Sequence, residues 1–223
     1  MPSITQLALG DEFGRLHPKL QKQYAITSES ELSCTGKGTM SEVTRGAFYV
    51  LPFLRIGARR FVLFPESGTD VPFTIENYAF KDDAGRETLT WTRTFRFPKE
   101  RRFDEYLVYN EKRKALIVYA GSHQHLAVDL KLTVDEGGAL CFETGAQRVY
   151  ESWLALRFPM FLSGTATVRE SYNDELERYE ISVTISSRIF GHIFGYSGWF
   201  TLDQVPCAEV PRSALPKRTE IRD

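Results

Sequence analysis

Between Leu89 and Phe97 the chain reads Leu-Thr-Trp-Thr-Arg-Thr-Phe-Arg-Phe, the strictest alternation in the sequence. Side chains of a strand point to opposite faces with period two. Leu89, Trp91, Arg93, Phe95 and Phe97 therefore share one face, and Thr88, Thr90, Thr92, Thr94 and Arg96 the other. Four large apolar groups make the first face the core side. A guanidinium among them must meet an anion or several acceptors. The segment predicts a sheet with an arginine in its interior, and the rest of the chain is read as that sheet wrapping round this strand.

The same period recurs on both sides. Leu32 to Arg45 reads as the first strand, with Gly36 and Gly38 marking a bend, a bulge or a close backbone approach. Phe61 to Phe64, Val71 to Lys81, Arg101 to Tyr109, Lys114 to Ala120, His123 to Val134, Ala139 to Val149, Gly164 to Tyr172, Arg178 to Arg188 and Tyr196 to Leu202 follow as strands. Turn residues such as Asp82-Asp83-Ala84-Gly85 and Asp135-Glu136-Gly137-Gly138 separate them. Short turns and no long helix between about ten strands predict an antiparallel meander that curls into a barrel or sandwich. Helical periodicity is confined to residues 3–26. There Ser3 caps a turn through Leu9, Gly10 ends it, and Pro18 starts a second helix with His17 at the junction. Short helices are also expected near 47–58 and 150–158. The organisation expected is one domain: a helical segment over 1–31, an antiparallel β region over 32–204, and a loose tail over 205–223 that carries three prolines and scattered charges.

Charge narrows the partners. Lys and Arg number 28 against 29 Asp and Glu, so no global field recruits nucleic acid. The longest apolar run, Ala47 to Leu54, is far short of the roughly 20 residues a spanning helix needs. The N-terminus lacks a basic stretch followed by an apolar one. Cys34, Cys141 and Cys207 are sparse, odd in number and without a Cys-x-x-Cys, and read as reduced structural thiols. The expectation is a cytoplasmic protein with no transmembrane segment, no nucleic-acid partner and no implied cofactor.

Four stretches, in order along the chain, carry a resemblance. They are Leu9-Gly-Asp-Glu-Phe-Gly-Arg-Leu-His-Pro18, Gly36-Lys-Gly-Thr-Met-Ser-Glu-Val-Thr-Arg-Gly46, Trp91-Thr-Arg-Thr-Phe95 and Gly195-Tyr-Ser-Gly-Trp-Phe200. In them the chain resembles the domain-of-unknown-function 4166 family of bacterial proteins. The resemblance implies a stand-alone protein, or a C-terminal domain behind a dinucleotide-binding enzyme or a membrane protein. It brings no activity and no catalytic set.

Arg93 is the sharpest single residue. Pointing inward beside Trp91 and Phe95, it suits a ligand with an anionic head and an apolar tail. The favoured alternative is an internal ion pair with Glu105 or Glu170, which also fall on apolar faces. Arg45 and Tyr196 complete the candidate ligand-binding set. His123 and His125 invite a metal reading, but no third ligand is placed near them, and an exposed pair is the better account. Gly36-Lys-Gly-Thr-Met is not a phosphate loop, and Gly195-Tyr-Ser-Gly is not a nucleophile elbow. The apolar Gly46 to Ile56 stretch, with Arg55, Arg59 and Arg60 beside it, packs on the sheet end, caps a cavity or touches a membrane surface.

Three function classes follow. The first is a module binding a small apolar or anionic amphipathic ligand in a lipocalin-like or lipid-transfer-like cavity. The second is an accessory domain with a protein partner, such as an oxidoreductase or a membrane protein. The third is an enzyme using Glu105 or Glu170 with Arg93, which requires these groups to converge in one wet pocket.

Overall fold

The computed structural model describes residues 1–151, 154–157 and 164–222. Among the described residues the strands are β1 (Leu32–Arg45), β2 (Gly68–Lys81), β3 (Glu87–Phe95), β4 (Arg101–Asn110), β5 (Ala115–Ala120), β6 (Leu126–Val134), β7 (Leu140–Glu151), β8 (Leu154–Arg157), β9 (Thr165–Asn173), β10 (Arg178–Ser187) and β11 (Gly191–Pro206). Neighbours run β6-β5-β4-β3-β2-β1-β11-β10-β9-β7, and a pairing of β6 with β7 joins the two ends. This is a closed ten-strand antiparallel barrel, mainly β as the alternation predicts, with β8 paired to β7 as a short flap. Closure removes the open edges that would otherwise pair with other chains. Ten strands exceed the eight of a lipocalin, and no long helix follows the barrel among the described residues.

β3 lies between β2 and β4, with Arg93 opposite Ile75 on one side and Phe103 on the other. The predicted faces hold. Leu89, Trp91, Phe95 and Phe103 belong to the main core. The close approach signalled by two glycines in β1 is to β11: a Cβ on Gly38 would collide with the Trp199 carbonyl and the Phe200 backbone. The absent side chain thus lets β1 and β11 approach closely at this point. The pairing slips between Thr39 and Glu42, and Pro72 of β2, which has no N–H to donate, faces Thr39 at that bulge.

The two barrel ends are closed by different devices. Helix α1 (Ile4–Leu9) starts at Ser3, whose hydroxyl accepts from Gln6 N while the Gln6 side chain accepts from Ser3 N. Gly10 ends it at φ 54°, and a 3-10 turn over Gly10–Arg15 follows. Helix α2 (Pro18–Tyr24) has Pro18 in its first turn and His17 as its cap. Leu16, Leu20 and Tyr24 from this segment are buried in the barrel core. At the other end a 3-10 turn (Phe48–Val50) runs into helix α3 (Leu51–Arg59). Residues 60–67 then cross the mouth and seat Phe64 against Phe95, Phe97 and Phe194 at centroid distances of 4.8–5.7 Å.

Three expectations need correction. Phe61 to Phe64 is not a strand; it spans the mouth, where Asp104 N donates to Phe61 O and Ser122 N to Arg60 O. Among the described residues of 150–158 no helix forms: Tyr150 and Glu151 finish β7 and Leu154–Arg157 are β8, while residues 152, 153 and 158 lie outside the described set. The tail from 205 is not loose. Arg102 donates to Ser213 O, Arg86 to Glu220 O, Lys217 N to Ser122 O, Glu220 N to Gln124 Oε1 and Tyr119 Oη to Arg222 O. It rests on a second cluster on the barrel's outer face, formed by Tyr106, Val108, Ile117, Tyr119, Ala127 and Tyr150. Cys34, Cys141 and Cys207 are free thiols, and burial pushes the Cys34 thiol up to about 12.

Candidate functional site

Two inward residues of adjacent strands set the barrel's middle layer. Period two sends Trp91 and Arg93 of β3 inward, and the β4 register brings Glu105 opposite Trp91 and Phe103 opposite Arg93. The Arg93 guanidinium donates to the Glu105 carboxylate. It also lies 5.1 Å from the Trp91 ring centre and 5.4 Å from that of Phe103. A cation held between two ring faces and one carboxylate has its charge compensated without water. Burial works against its charge, but nearby Tyr196 and Glu105 more than compensate, so Arg93 is held charged above the ordinary arginine range. The internal ion pair favoured on sequence grounds is formed, and its partner is Glu105.

Glu170 sits deeper, toward α2. Tyr24 Oη donates to Glu170 Oε2 at 3.0 Å, and Tyr24 packs edge-on against Trp91 and Phe142. Burial raises the Glu170 carboxyl above the ordinary carboxylate range, against the opposing pull of Tyr24 and Arg93. The same pair fastens the N-terminal plug, because Ser3 Oγ donates to Tyr24 O. Tyr196 of β11 is buried beside Phe95 and Phe73, and burial pushes its hydroxyl up, with Arg93 pulling the other way. Among the described residues, Arg93 Nε, Trp91 Nε1 and Tyr196 Oη are buried without a hydrogen-bond partner.

Toward the other end the barrel is not completely filled. A cavity of about 180 Å³ lies between the β4–β7 wall and the β9–β11 wall. Phe103, Val118, Ala120, Leu126, Ile185 and Ile193 give it an apolar lining, and Val62 and Leu63 from the crossing segment cover it. Glu105, Thr144 and Gln147 are its polar points, and Glu105 is the charged group on its wall among the described residues. Glu170 does not border it, so the two carboxylates do not converge there.

Six of the seven sequence candidates thus lie inside the barrel, Arg93, Trp91, Phe95, Glu105, Glu170 and Tyr196 being buried or nearly so. Arg45 does not join them: it ends β1 opposite Phe194, with its side chain exposed. Reasoning from strands alone missed Tyr24, because a tyrosine at helical spacing carries no sign of which strand residue it will bond. It also missed the cavity wall at Val62 and Leu63, which reads as one more short strand. His123 and His125 lie in the β5–β6 turn with ring centres 5.1 Å apart, and His123 Nδ1 meets Ser122 Oγ at 3.0 Å. No group of three or more metal-ligating side chains occurs among the described residues.

The fold and its lined interior define a closed antiparallel β-barrel with an internal ion pair. The family model described as "Domain of unknown function (DUF4166)" matches residues 16–200, and the chain belongs to that family. It is 33% identical over 186 residues to the "Uncharacterized protein YndH" of Bacillus subtilis (strain 168), covering 83% of this chain and 90% of that protein. No helix among the described residues is long and apolar enough to cross a membrane.

Proposed function

We propose that the barrel is a binding module for a small, mostly apolar ligand held in the cavity beside the Arg93–Glu105 pair. The observation that carries the reading is an apolar space of about 180 Å³ inside the barrel. An apolar cavity of roughly 150 Å³ suffices to take up benzene, so the space suits a single ring or a short alkyl chain. Glu105, the charged group on its wall among the described residues, is an acceptor, which favours a ligand carrying a hydrogen-bond donor. Unused capacity on Arg93 Nε, Trp91 Nε1 and Tyr196 Oη in the adjoining layer supports an amphipathic ligand over a hydrocarbon. An anionic head is disfavoured, because the Arg93 charge is already engaged by Glu105.

Native and denaturing mass spectra of freshly purified protein test this, followed by titration with phenol, benzoate and hexanol by ligand-observed NMR. The expected result is a non-covalent mass lost on denaturation, or saturable binding of phenol or hexanol that benzoate does not match. Ala120→Leu places a larger side chain in the cavity and is expected to weaken binding at least about tenfold, one methylene already being worth a severalfold change. Bare protein that binds none of the three, or an Ala120→Leu protein that binds as wild type does, overturns the proposal.

A further inference from the structure

The end of the barrel that carries α3 presents an apolar surface to solvent. Phe48 is 80% exposed, Phe53 65%, and Ile56 and Ile189 55% each. Phe48 and Phe53 are joined through Tyr49 and Phe190, next to which Ile189 stands in the chain. Phe48 and Tyr49 have ring centres 5.6 Å apart, and Phe190 lies 6.3 Å from both Tyr49 and Phe53. Tyr49 Oη donates to Phe190 O at 3.1 Å and ties the 48–56 segment to the β10–β11 tip. The inner side of the same segment is also apolar, with Val50 and Leu54 buried. A helical segment apolar on both sides is normally covered on both. Here the barrel covers one side only.

The two segments that carry the patch hold arginines and no acidic residue, Glu42, Glu66, Glu180 and Asp203 standing just outside them. From Val43 to Pro65 there are four arginines and no Asp or Glu, and from Ile181 to Leu202 one arginine and no Asp or Glu. Arg45, Arg55, Arg59 and Arg188 are exposed. On a chain whose formal net charge is only −1, this is a strong local asymmetry. Protruding aromatic and branched side chains among arginines match the interfacial zone of an anionic bilayer, where rings enter the headgroup boundary and guanidinium groups meet phosphates. A protein hot spot would instead favour a recessed pocket.

We propose that this end of the barrel docks on an anionic phospholipid surface through Phe48, Phe53, Ile56 and Ile189, with Arg45, Arg55, Arg59 and Arg188 on the lipid headgroups. The inference stands on the patch and its charge, independently of any ligand in the cavity. It is tested by co-sedimentation with vesicles of phosphatidylcholine containing about one-third phosphatidylglycerol, against phosphatidylcholine alone, at low and high salt. Binding to the anionic vesicles is expected to fall with salt and to drop about fivefold for Arg55→Gln, the loss typical of one basic residue near such a surface. Phe48→Ser with Phe53→Ser is expected to abolish it. A Phe53→Trp reporter is expected to blue-shift when anionic vesicles are added. All these positions are exposed, and unchanged far-UV circular dichroism checks that each variant folds. Absence of binding to anionic vesicles overturns the proposal. So does equal binding to both vesicle types, or a concentration-dependent dimer lost in Phe53→Ser, which would give the patch to a second copy of the chain.

Discussion

A double-mutant cycle on Arg93 and Glu105 tests the middle layer most directly. Arg93→Met takes the guanidinium from between Trp91 and Phe103 and leaves the Glu105 carboxylate on an apolar cavity wall. Removing one partner of a buried pair costs about 3–5 kcal/mol. The Glu105 side chain keeps 18% exposure against 5% for Arg93. Arg93→Met, which strands the more accessible charge, is therefore expected near 3 kcal/mol, and Glu105→Leu, which strands the deeper one, nearer 5 kcal/mol. Replacing both with apolar groups leaves no charge to solvate, so the double variant is expected within about 1 kcal/mol of wild type, or more stable. The coupling is then several kcal/mol, far above the roughly 0.5 kcal/mol scatter of independent sites. Urea unfolding at neutral pH, followed by circular dichroism and compared at constant slope, measures each corner of the cycle. Single variants that each cost under about 1 kcal/mol, or a double variant whose loss is the sum of the singles, would refute the account of a mutually compensating pair.

Two further outcomes follow from the outer face. Burial pushes the Asp104 carboxyl up to about 6 from an ordinary 3.8, against the opposing pull of Arg102. The folded chain therefore holds this proton more tightly, and its contribution to stability is full below about 3.8 and lost as pH rises through about 6, a change of about 3 kcal/mol. Urea midpoints at acidic and neutral pH should show this difference shrinking in Asp104→Asn; an unaltered pH dependence would exclude Asp104 as its source. Ending the chain after Pro211 uncovers Tyr119 and Tyr150 and releases the bonds made to Ser213, Lys217, Glu220 and Arg222. A loss of at least about 3 kcal/mol, or about 6–12 °C in Tm by thermal melts, is expected for a domain of this size; a shift within about 2 °C would show the tail to be dispensable.

What the sequence reveals here depends on whether order comes from local patterns or from distant bonds. β3, β4 and β10 announce themselves by alternation, and α1 and α2 by Ser3, Gly10 and Pro18, because strand pleat and helix caps act over a few residues. The tail has no such pattern. Its order comes from Arg86, Arg102 and Gln124, more than 90 residues away, bonding to its backbone. A signal for it does exist on the receiving side. Ala115-Leu-Ile-Val-Tyr-Ala120 is apolar on both faces, as a strand covered on both sides must be. Leu116 and Val118 turn to the barrel core, while Ile117 and Tyr119 turn out to the cluster under the tail. In β3 the outward Thr88, Thr90 and Thr92 are buried too, although threonines alternating with large apolar residues read as a solvent face.

The candidate site was legible for the residues that alternation sends inward and illegible for what closes the barrel over them. The two closures are built differently, and the α3 end bears on both proposals. The α2 end is sealed by large side chains and by Tyr24, which is bonded at its hydroxyl to Glu170 and at its carbonyl by Ser3. The α3 end is crossed by an irregular stretch that presents Val62 and Leu63 to the cavity. That stretch is fixed by backbone bonds at Arg60, Phe61 and Val62, and by the Phe64 ring. This segment is also the direct continuation of α3, whose outer face carries Phe53 and Ile56. In the proposed reading, docking of that face on a bilayer would act on the cavity cover through one short stretch of chain.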